Sequence, residues 1–295
     1  MNFKKYVNSL PSLKGQKIVI TGTTSGLGFA LSELVLIKGG DLIMANRTSS
    51  RATKAQAYLS EKYGAQKVQT ITYDQSDTTT FAAFINELKN LKGEINAFVF
   101  NAGVYLPDEA LRTDKDLMLT FGVNYFGNYA LTEKLYESGL VKKSTRLIYT
   151  TSIAANKKLS TKCVNHLFNN TVPKRHREYK YSKTALNIYA SNLMNTKENN
   201  VYLYHPGVTG TNIVRFRGKL IRRLARFFMK LIFPPTNKAA LGAMLALTTE
   251  DGGKNHIIVP RGAFNIVGYP KFKELKIKNS AASATLLELS KEKAR

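Results

Sequence analysis

The stretch that most constrains this chain is Ile18-Val19-Ile20-Thr21-Gly22-Thr23-Thr24-Ser25-Gly26-Leu27-Gly28-Phe29-Ala30. A β-branched run from Lys17 to Thr21 leads into three glycines, after which Phe29, Leu31, Leu34 and Val35 begin a helical apolar pattern. Strand, tight glycine turn and helix form the context that a dinucleotide-binding loop requires. Glycine tolerates positive φ in the turn and lets backbone N–H groups approach a pyrophosphate closely. The N-terminus of the following helix adds partial positive charge for that anion. The bland alternative is an ordinary glycine-rich strand-to-helix turn, and the flanking pattern weighs against it.

With 295 residues, 43% of them hydrophobic and only 8 prolines, the chain is expected to form one large domain, residues 1–295, with a substantial core. A formal charge of +24 favours anionic partners, with a solvated basic surface as the plain alternative. Cys163 is the only cysteine, so no intrachain disulfide can form and a reducing compartment is expected. Met1 to Leu13 lacks an apolar core of signal-peptide length, and no apolar run approaches the roughly 18 residues of a spanning helix. The expected location is cytoplasmic, soluble or peripheral at a membrane surface.

Gly39-Gly40 closes the first helix, and Asp41 to Ala45 reads as the second strand. Asn46 and Arg47 follow, Arg47 lying 19 residues past Gly28. An acidic residue near that distance would bind the ribose of NAD, whereas an arginine accommodates the 2′-phosphate of NADP. The cofactor expected is therefore NADP(H), against a merely solvated Arg47. Further strands are read at Lys67–Tyr73, Ile95–Phe100, Arg146–Thr151 and Val201–Tyr204, with Ile257–Val259 as the last. Helices are read at Ala52–Tyr63, Thr79–Leu91, Thr120–Leu135, Asn237–Thr248 and Ala282–Lys291. Such alternation predicts an α/β fold: a single-domain, Rossmann-like, doubly wound parallel sheet flanked by helices.

Several motifs now fall in one order: Gly22-x-x-x-Gly26-x-Gly28 with its Thr21 lead-in, Asn101-Ala102-Gly103, Asn124-x-x-Gly127, Ser152, Tyr179-x-x-x-Lys183 and Pro206-Gly207. The chain resembles the short-chain dehydrogenase/reductase family over nearly its whole length. Details such as Phe100 to Tyr105, Tyr179 to Lys183 and Leu287-Glu288-Leu289-Ser290 are similar to the retinol dehydrogenase and protochlorophyllide reductase branch. The resemblance implies cofactor contacts at Gly22, Thr24, Ser25, Gly26, Leu27 and Gly28, at Asn46 and Arg47, at Asp74 beside the adenine, and at Asn101, Ala102 and Gly103 beneath the cofactor. It implies nicotinamide contacts at Pro206, Gly207, Val208 and Thr211, and a ribose contact at Lys183 beside Tyr179. Phe100 stands where the family often has asparagine, and Ser152 precedes Tyr179 by 27 residues, longer than is common in the family at large.

The implied activity interconverts an alcohol with a ketone or aldehyde on an apolar or amphipathic substrate. The cofactor supplies the hydride; the proton needs an acid with a pKa nearer neutrality than the ~10 of free tyrosine. Lys183, one helical turn from Tyr179, is expected to lower that pKa through its charge. Ser152 would hydrogen-bond the substrate oxygen. Asn124 has two readings: a buried, satisfied amide, or a residue that kinks its helix and holds a water in a proton relay. Tyr181 is the rival acid, but Ala185 stands one turn after it where a lysine would be needed.

The insert from Ile153 to Glu178 reads as polar and basic; His166-Leu167-Phe168 and Lys174 to Arg177 either rim the pocket or form a solvated loop. Asn212 to Phe233 is where the family builds a substrate lid. Its apolar positions recur at helical spacing, its basic positions lie on another face, and it contains no acidic residue. That pattern suits a lid with solvated charges, or one that also meets an anionic membrane. Four histidines and one cysteine show no metal-ligand spacing, so no metal is expected. Nucleic acid is not an expected partner, since no binding module or aromatic-basic platform is present. A non-catalytic NADP(H)-binding sensor or scaffold at anionic surfaces is the rival from another class. The resemblance further implies a homo-oligomer formed through the Thr120 and Tyr179 helices.

Overall fold

The structure, a computed structural model, describes residues 2–107, 111–155, 158–172, 174–207, 236–250, 254–277 and 281–295. Strands β1 (Lys17–Thr21), β2 (Asp41–Asn46), β3 (Val68–Thr72), β4 (Ala97–Phe100), β5 (Arg146–Thr150), β6 (Asn200–Tyr204), β7 (His256–Pro260) and β8 (Pro270–Glu274) form one sheet. Its order is β3-β2-β1-β4-β5-β6-β7-β8. All neighbours run parallel except β7 and β8.

The β-branched run explains why β1 sits in the middle. Val19 joins a core cluster on one face with Phe98, Phe121 and Leu186. Ile18 and Ile20 join the cluster on the other face with Leu31, Leu34 and Val35 of helix α2 (Gly26–Ile37). A strand buried on both faces reads as a continuous apolar run, as parallel sheets covered by helices require. The strand order reverses on either side of β1, with β2 to one side and β4 to the other. The carboxyl ends of strands at such a reversal open a crevice suited to a ligand. The glycine turn after β1 and the Asn101 turn after β4 both stand there.

Four elements differ from the sequence expectation. Chain entry is helical: α1 (Phe3–Ser9) is capped by the Asn2 side chain, which accepts from Lys5 N at 2.8 Å. Following α3 (Ser50–Tyr63) and α4 (Phe81–Lys89), the long helix expected over Thr120–Leu135 is interrupted. It consists of α5 (Leu119–Phe121), a π turn (Gly122–Phe126) and α6 (Gly127–Glu137). The insert contains a packed helix, α7 (Thr161–Phe168), whose Val164 and Leu167 are buried and whose Phe168 meets Phe121 at 5.2 Å. That helix packs into the core, whereas Lys174 to Arg177 are exposed. Finally, β7 is not the last strand; β8 folds back on it with Phe272 opposite Ile258. Helices α8 (Arg175–Thr196), α9 (Thr236–Ala239), α10 (Leu241–Thr248) and α11 (Ala281–Ala294) complete the described layers. No described helix is long and apolar enough to cross a membrane.

Candidate active site

The glycine turn is fixed from both sides. Gly22 adopts φ 74° and Gly26 φ 58°, conformations that disfavour a side chain. Gly28 is required for a different reason: a Cβ there would overlap the Gly22 carbonyl oxygen and lie 2.5 Å from Asn101 Nδ2. Asn46 is buried and accepts from Thr23 N at 2.8 Å while donating to Thr23 Oγ1 at 2.7 Å. Its side chain thus acts on the loop itself. Thr24 and Leu27 are half-buried, Ser25 and Gly26 are exposed, and the Ser25 side chain does not cap α2. The first-turn N–H groups of α2 therefore have no side-chain cap, a donor set that fits a pyrophosphate.

Beneath this loop, Thr21 Oγ1 accepts from Asn101 N at 3.0 Å and Ala102 N at 2.9 Å. Asn101 Nδ2 returns two bonds, to Thr21 O at 3.0 Å and Gly22 O at 3.1 Å. The Asn101 turn thereby ties β4 to the glycine turn. Phe100, the departure from the family pattern, stacks on Tyr149 with centroids 4.5 Å apart and planes at 6°. Asparagine there would forfeit that aromatic packing.

Asn124 is fully buried in the π turn. Its Oδ1 accepts from Val104 N at 2.8 Å, and its Nδ2 donates to Val104 O at 2.9 Å and Ser182 Oγ at 3.2 Å. Side-chain satisfaction and helix distortion, weighed as rivals from sequence, occur together. Gln75 was not anticipated. Its Nε2 donates to Val123 O at 2.6 Å and to Asn128 Oδ1 at 3.1 Å, and Asn128 Nδ2 donates to Asn124 O at 2.9 Å. These amides satisfy carbonyls within the π turn. Gly103 admits the neighbours: a Cβ there would lie 2.9 Å from Asn124 Oδ1 and 3.7 Å from Lys183 Nζ.

Ser152 follows β5, and its Oγ accepts from Ala154 N at 3.1 Å. Its hydroxyl also acts on the phenol of Tyr179, which lies near the start of α8. Burial pushes the Tyr179 phenol above its ordinary pKa; the Ser152 hydroxyl offsets part of the rise and Tyr105 adds to it. The rings of Tyr105 and Tyr179 meet edge to face, centroids 4.6 Å apart. Lys183 is buried, its ammonium donates to Thr150 O at 2.8 Å, and burial pushes its pKa down to about 8.

These facts correct the expected electrostatics. Lys183 was expected to depress Tyr179, but the Tyr179 shift is upward because desolvation of the phenolate dominates. Tyr181 interacts with the Cys163 thiol, and Ser152 is not among the groups that act on it.

Arg47 is exposed just past β2. Asp74 follows Tyr73, its Oδ1 accepting from Ser76 N at 2.9 Å and Ser76 Oγ at 2.6 Å. After β6, Gly207 N donates to His205 Nδ1 at 3.1 Å, and Gly207 holds φ 79° against the Ile266 carbonyl. Pro206 and Gly207 thus stand at the carboxyl end of the sheet. Val208, Thr211 and the lid over 212–233 lie outside the described residues.

The sequence model described as short chain dehydrogenase matches residues 16–166, the span from β1 into α7. The chain belongs to the short-chain dehydrogenase/reductase family. It is 25% identical over 284 residues to a short-chain dehydrogenase/reductase of Phomopsis amygdali, covering 87% of this chain and 82% of that one. It is 23% identical over 242 residues to human polyprenol dehydrogenase, covering 79% of this chain and 72% of that one. Among solved structures, an uncharacterised protein from Mycobacterium paratuberculosis superposes with TM-score 0.71 at 19% identity, covering 98% and 96% of the two chains. Family membership makes this an oxidoreductase that uses a nicotinamide dinucleotide on small-molecule CH–OH or C=O groups.

Proposed function

We propose that the protein is an NADP(H)-dependent oxidoreductase that interconverts an alcohol with a ketone or aldehyde on an apolar or amphipathic substrate. The observation that carries this reading is that the Ser152 hydroxyl acts on the Tyr179 phenol, with Lys183 one turn along α8. Tyr179 donates the proton and Ser152 orients the substrate oxygen. Burial keeps the Tyr179 phenol protonated at neutral pH, the form that donates. Lys183 holds the nicotinamide ribose, and Asn124 connects it to a water relay. The bound cofactor supplies hydride; Gly22, Thr24, Ser25, Gly26, Leu27 and Gly28 hold its pyrophosphate side and Pro206 and Gly207 its nicotinamide side.

Exposed Arg47 supports NADP(H) over NAD(H), since a guanidinium grips a 2′-phosphate. Asp74, just past the end of β3, would contact the adenine when the cofactor is bound. Ile153, beside Ser152 and 46% exposed, supports an apolar substrate. The reading treats residues 1–295 as one domain, consistent with a sheet that draws strands from Lys17 to Glu274.

NADPH consumption measured against retinoid, steroid and simple carbonyl panels tests the proposal. Tyr179→Phe should nearly abolish turnover while leaving NADPH affinity intact, and Tyr181→Phe should remain active. The reverse pattern would remove Tyr179 from the mechanism.

A further inference from the structure

The most exposed large apolar side chain described is Phe264, at 85%. It stands on the loop joining β7 to β8, in left-handed backbone at φ 52°, ψ 16°, and Asn265 beside it also has positive φ, 58°. A residue with a Cβ is disfavoured there, and a bulky one more so. The loop is nonetheless well defined. Arg261 N donates to Tyr269 O at 2.7 Å, Gly262 N to Val267 O at 2.9 Å and Asn265 N to Gly262 O at 3.0 Å. A hydrogen-bonded loop therefore holds an aromatic ring out in water, next to exposed Val267.

The neighbouring charge is of one sign. Tyr6 of α1 packs against Tyr269 with centroids 4.8 Å apart and planes tilted at 32°, and Arg261 acts electrostatically on Tyr6. This contact brings α1, with exposed Lys4 and Lys5, beside the hairpin tip with exposed Arg261. Neither segment 2–32 nor segment 252–273 contains an aspartate or glutamate. The Ile266 carbonyl of the same loop abuts Gly207, so the tip stands at the carboxyl end of the sheet, where the substrate side lies.

We propose that the β7–β8 hairpin tip and α1 form a docking surface for an anionic lipid bilayer. Phe264 enters the headgroup boundary, while Lys4, Lys5 and Arg261 face acidic headgroups. Aromatic side chains favour that boundary, and each basic residue near an anionic surface adds attraction that salt weakens. A protein partner would need its own apolar socket for one projecting ring; a bilayer accepts it without one. The surface would bring a substrate pocket opening at the carboxyl end close to dissolved apolar substrate. The proposal stands on charge and exposure, independently of the oxidoreductase reading.

Co-sedimentation of the full chain with vesicles tests it, comparing phosphatidylcholine alone with phosphatidylcholine plus phosphatidylserine at low and high salt. Binding is expected only to the serine-lipid vesicles and should fall as salt rises. Phe264→Gly should weaken it about tenfold, the scale of burying one aromatic side chain. Because glycine suits the left-handed position, this variant should melt no lower than wild type, so lost binding is not lost folding. Lys4→Glu combined with Lys5→Glu and Arg261→Glu should abolish sedimentation. Three results would each overturn the proposal: no sedimentation at low salt, equal binding to neutral vesicles, or wild-type binding by Phe264→Gly. Retention on heparin or RNA that Phe264→Gly leaves unchanged, without vesicle binding, would assign the charge to nucleic acid and equally overturn it.

Discussion

Tyr105 meets Tyr179 ring to ring, with centroids 4.6 Å apart and planes at 87°. The contact is held from behind. Asn124 clamps both the N–H and the C=O of Val104, at 2.8 and 2.9 Å, and so fixes the residue before Tyr105. Asn124 is thus linked to the candidate acid through two residues of chain and one aromatic contact. Such pairs contribute about 0.5–1.5 kcal/mol beyond area burial.

Tyr105→Phe keeps the ring and should retain kcat/KM within about threefold, whereas Tyr105→Ala should lose about 10–100-fold, the scale of a misplaced catalytic group. Opening the site to water relieves the burial that raises Tyr179. The alkaline limb of the Tyr105→Ala pH profile should therefore move to lower pH. If alanine preserves both the rate and the limb, the contact has no role in positioning Tyr179. Turnover that survives Tyr179→Phe would instead refute the acid assignment itself.

Gly28→Ala should be severe although Gly28 needs no unusual φ. Its Cβ would overlap the Gly22 carbonyl oxygen and crowd Asn101 Nδ2, so the two turns must separate. We expect a loss of about 1–3 kcal/mol in stability, typical of overpacking, together with loss of NADPH binding. Thermal melts and fluorescence titration read the two effects; a variant matching wild type in both would show that the turns can yield.

Lys183 couples stability to pH. Burial lowers its pKa from 10.5 to about 8, so between those values the unfolded chain binds a proton that the folded chain lacks. Stability of the cofactor-free protein should therefore rise as pH increases through that window, by up to about 3 kcal/mol. Below pH 8 both states carry the proton and the burial penalty applies in full. Denaturant unfolding of wild type against Lys183→Met from pH 7 to 10 isolates the effect; equal slopes would show that the buried amine does not titrate there.

Arg47→Ala should weaken NADPH by about 1.5–3 kcal/mol, the scale of a hydrogen bond to a charged group, and leave NADH nearly unchanged. Titration of both cofactors checks this. Wild-type protein that binds NADH as tightly as NADPH would exclude Arg47 as a phosphate contact.

The parts legible in the sequence are those whose cause is local. The β1-turn-α2 unit needs only a β-branched run, three glycines and one apolar helix stripe within Lys17 to Val35. Tyr179 and Lys183 are one turn apart on any helix. The parts that were not legible depend on distant partners. Gln75 and Asn128 matter because a π turn leaves carbonyls to satisfy, and that turn has no periodicity of its own. Tyr105 matters through Asn124, which lies far along the chain. The Tyr179 shift is set by how completely the fold excludes water, which spacing to Lys183 does not encode. Helix α7 did carry a signal: Val164, Leu167 and Phe168 form a short apolar stripe, masked by the basic residues around it.

Strand β8 has a consequence beyond completing the sheet. A sheet margin offers a row of open backbone donors and acceptors on which another chain can template itself. Here the margin begins with Pro270, which lacks a donor, and continues with Lys271 and Lys273 either side of Phe272. Proline and lysine on an outer strand discourage edge-to-edge pairing. A second molecule approaching β8 would face a missing donor and like charges, so sheet extension into fibres or strand-linked assemblies is opposed at this end by the residues themselves.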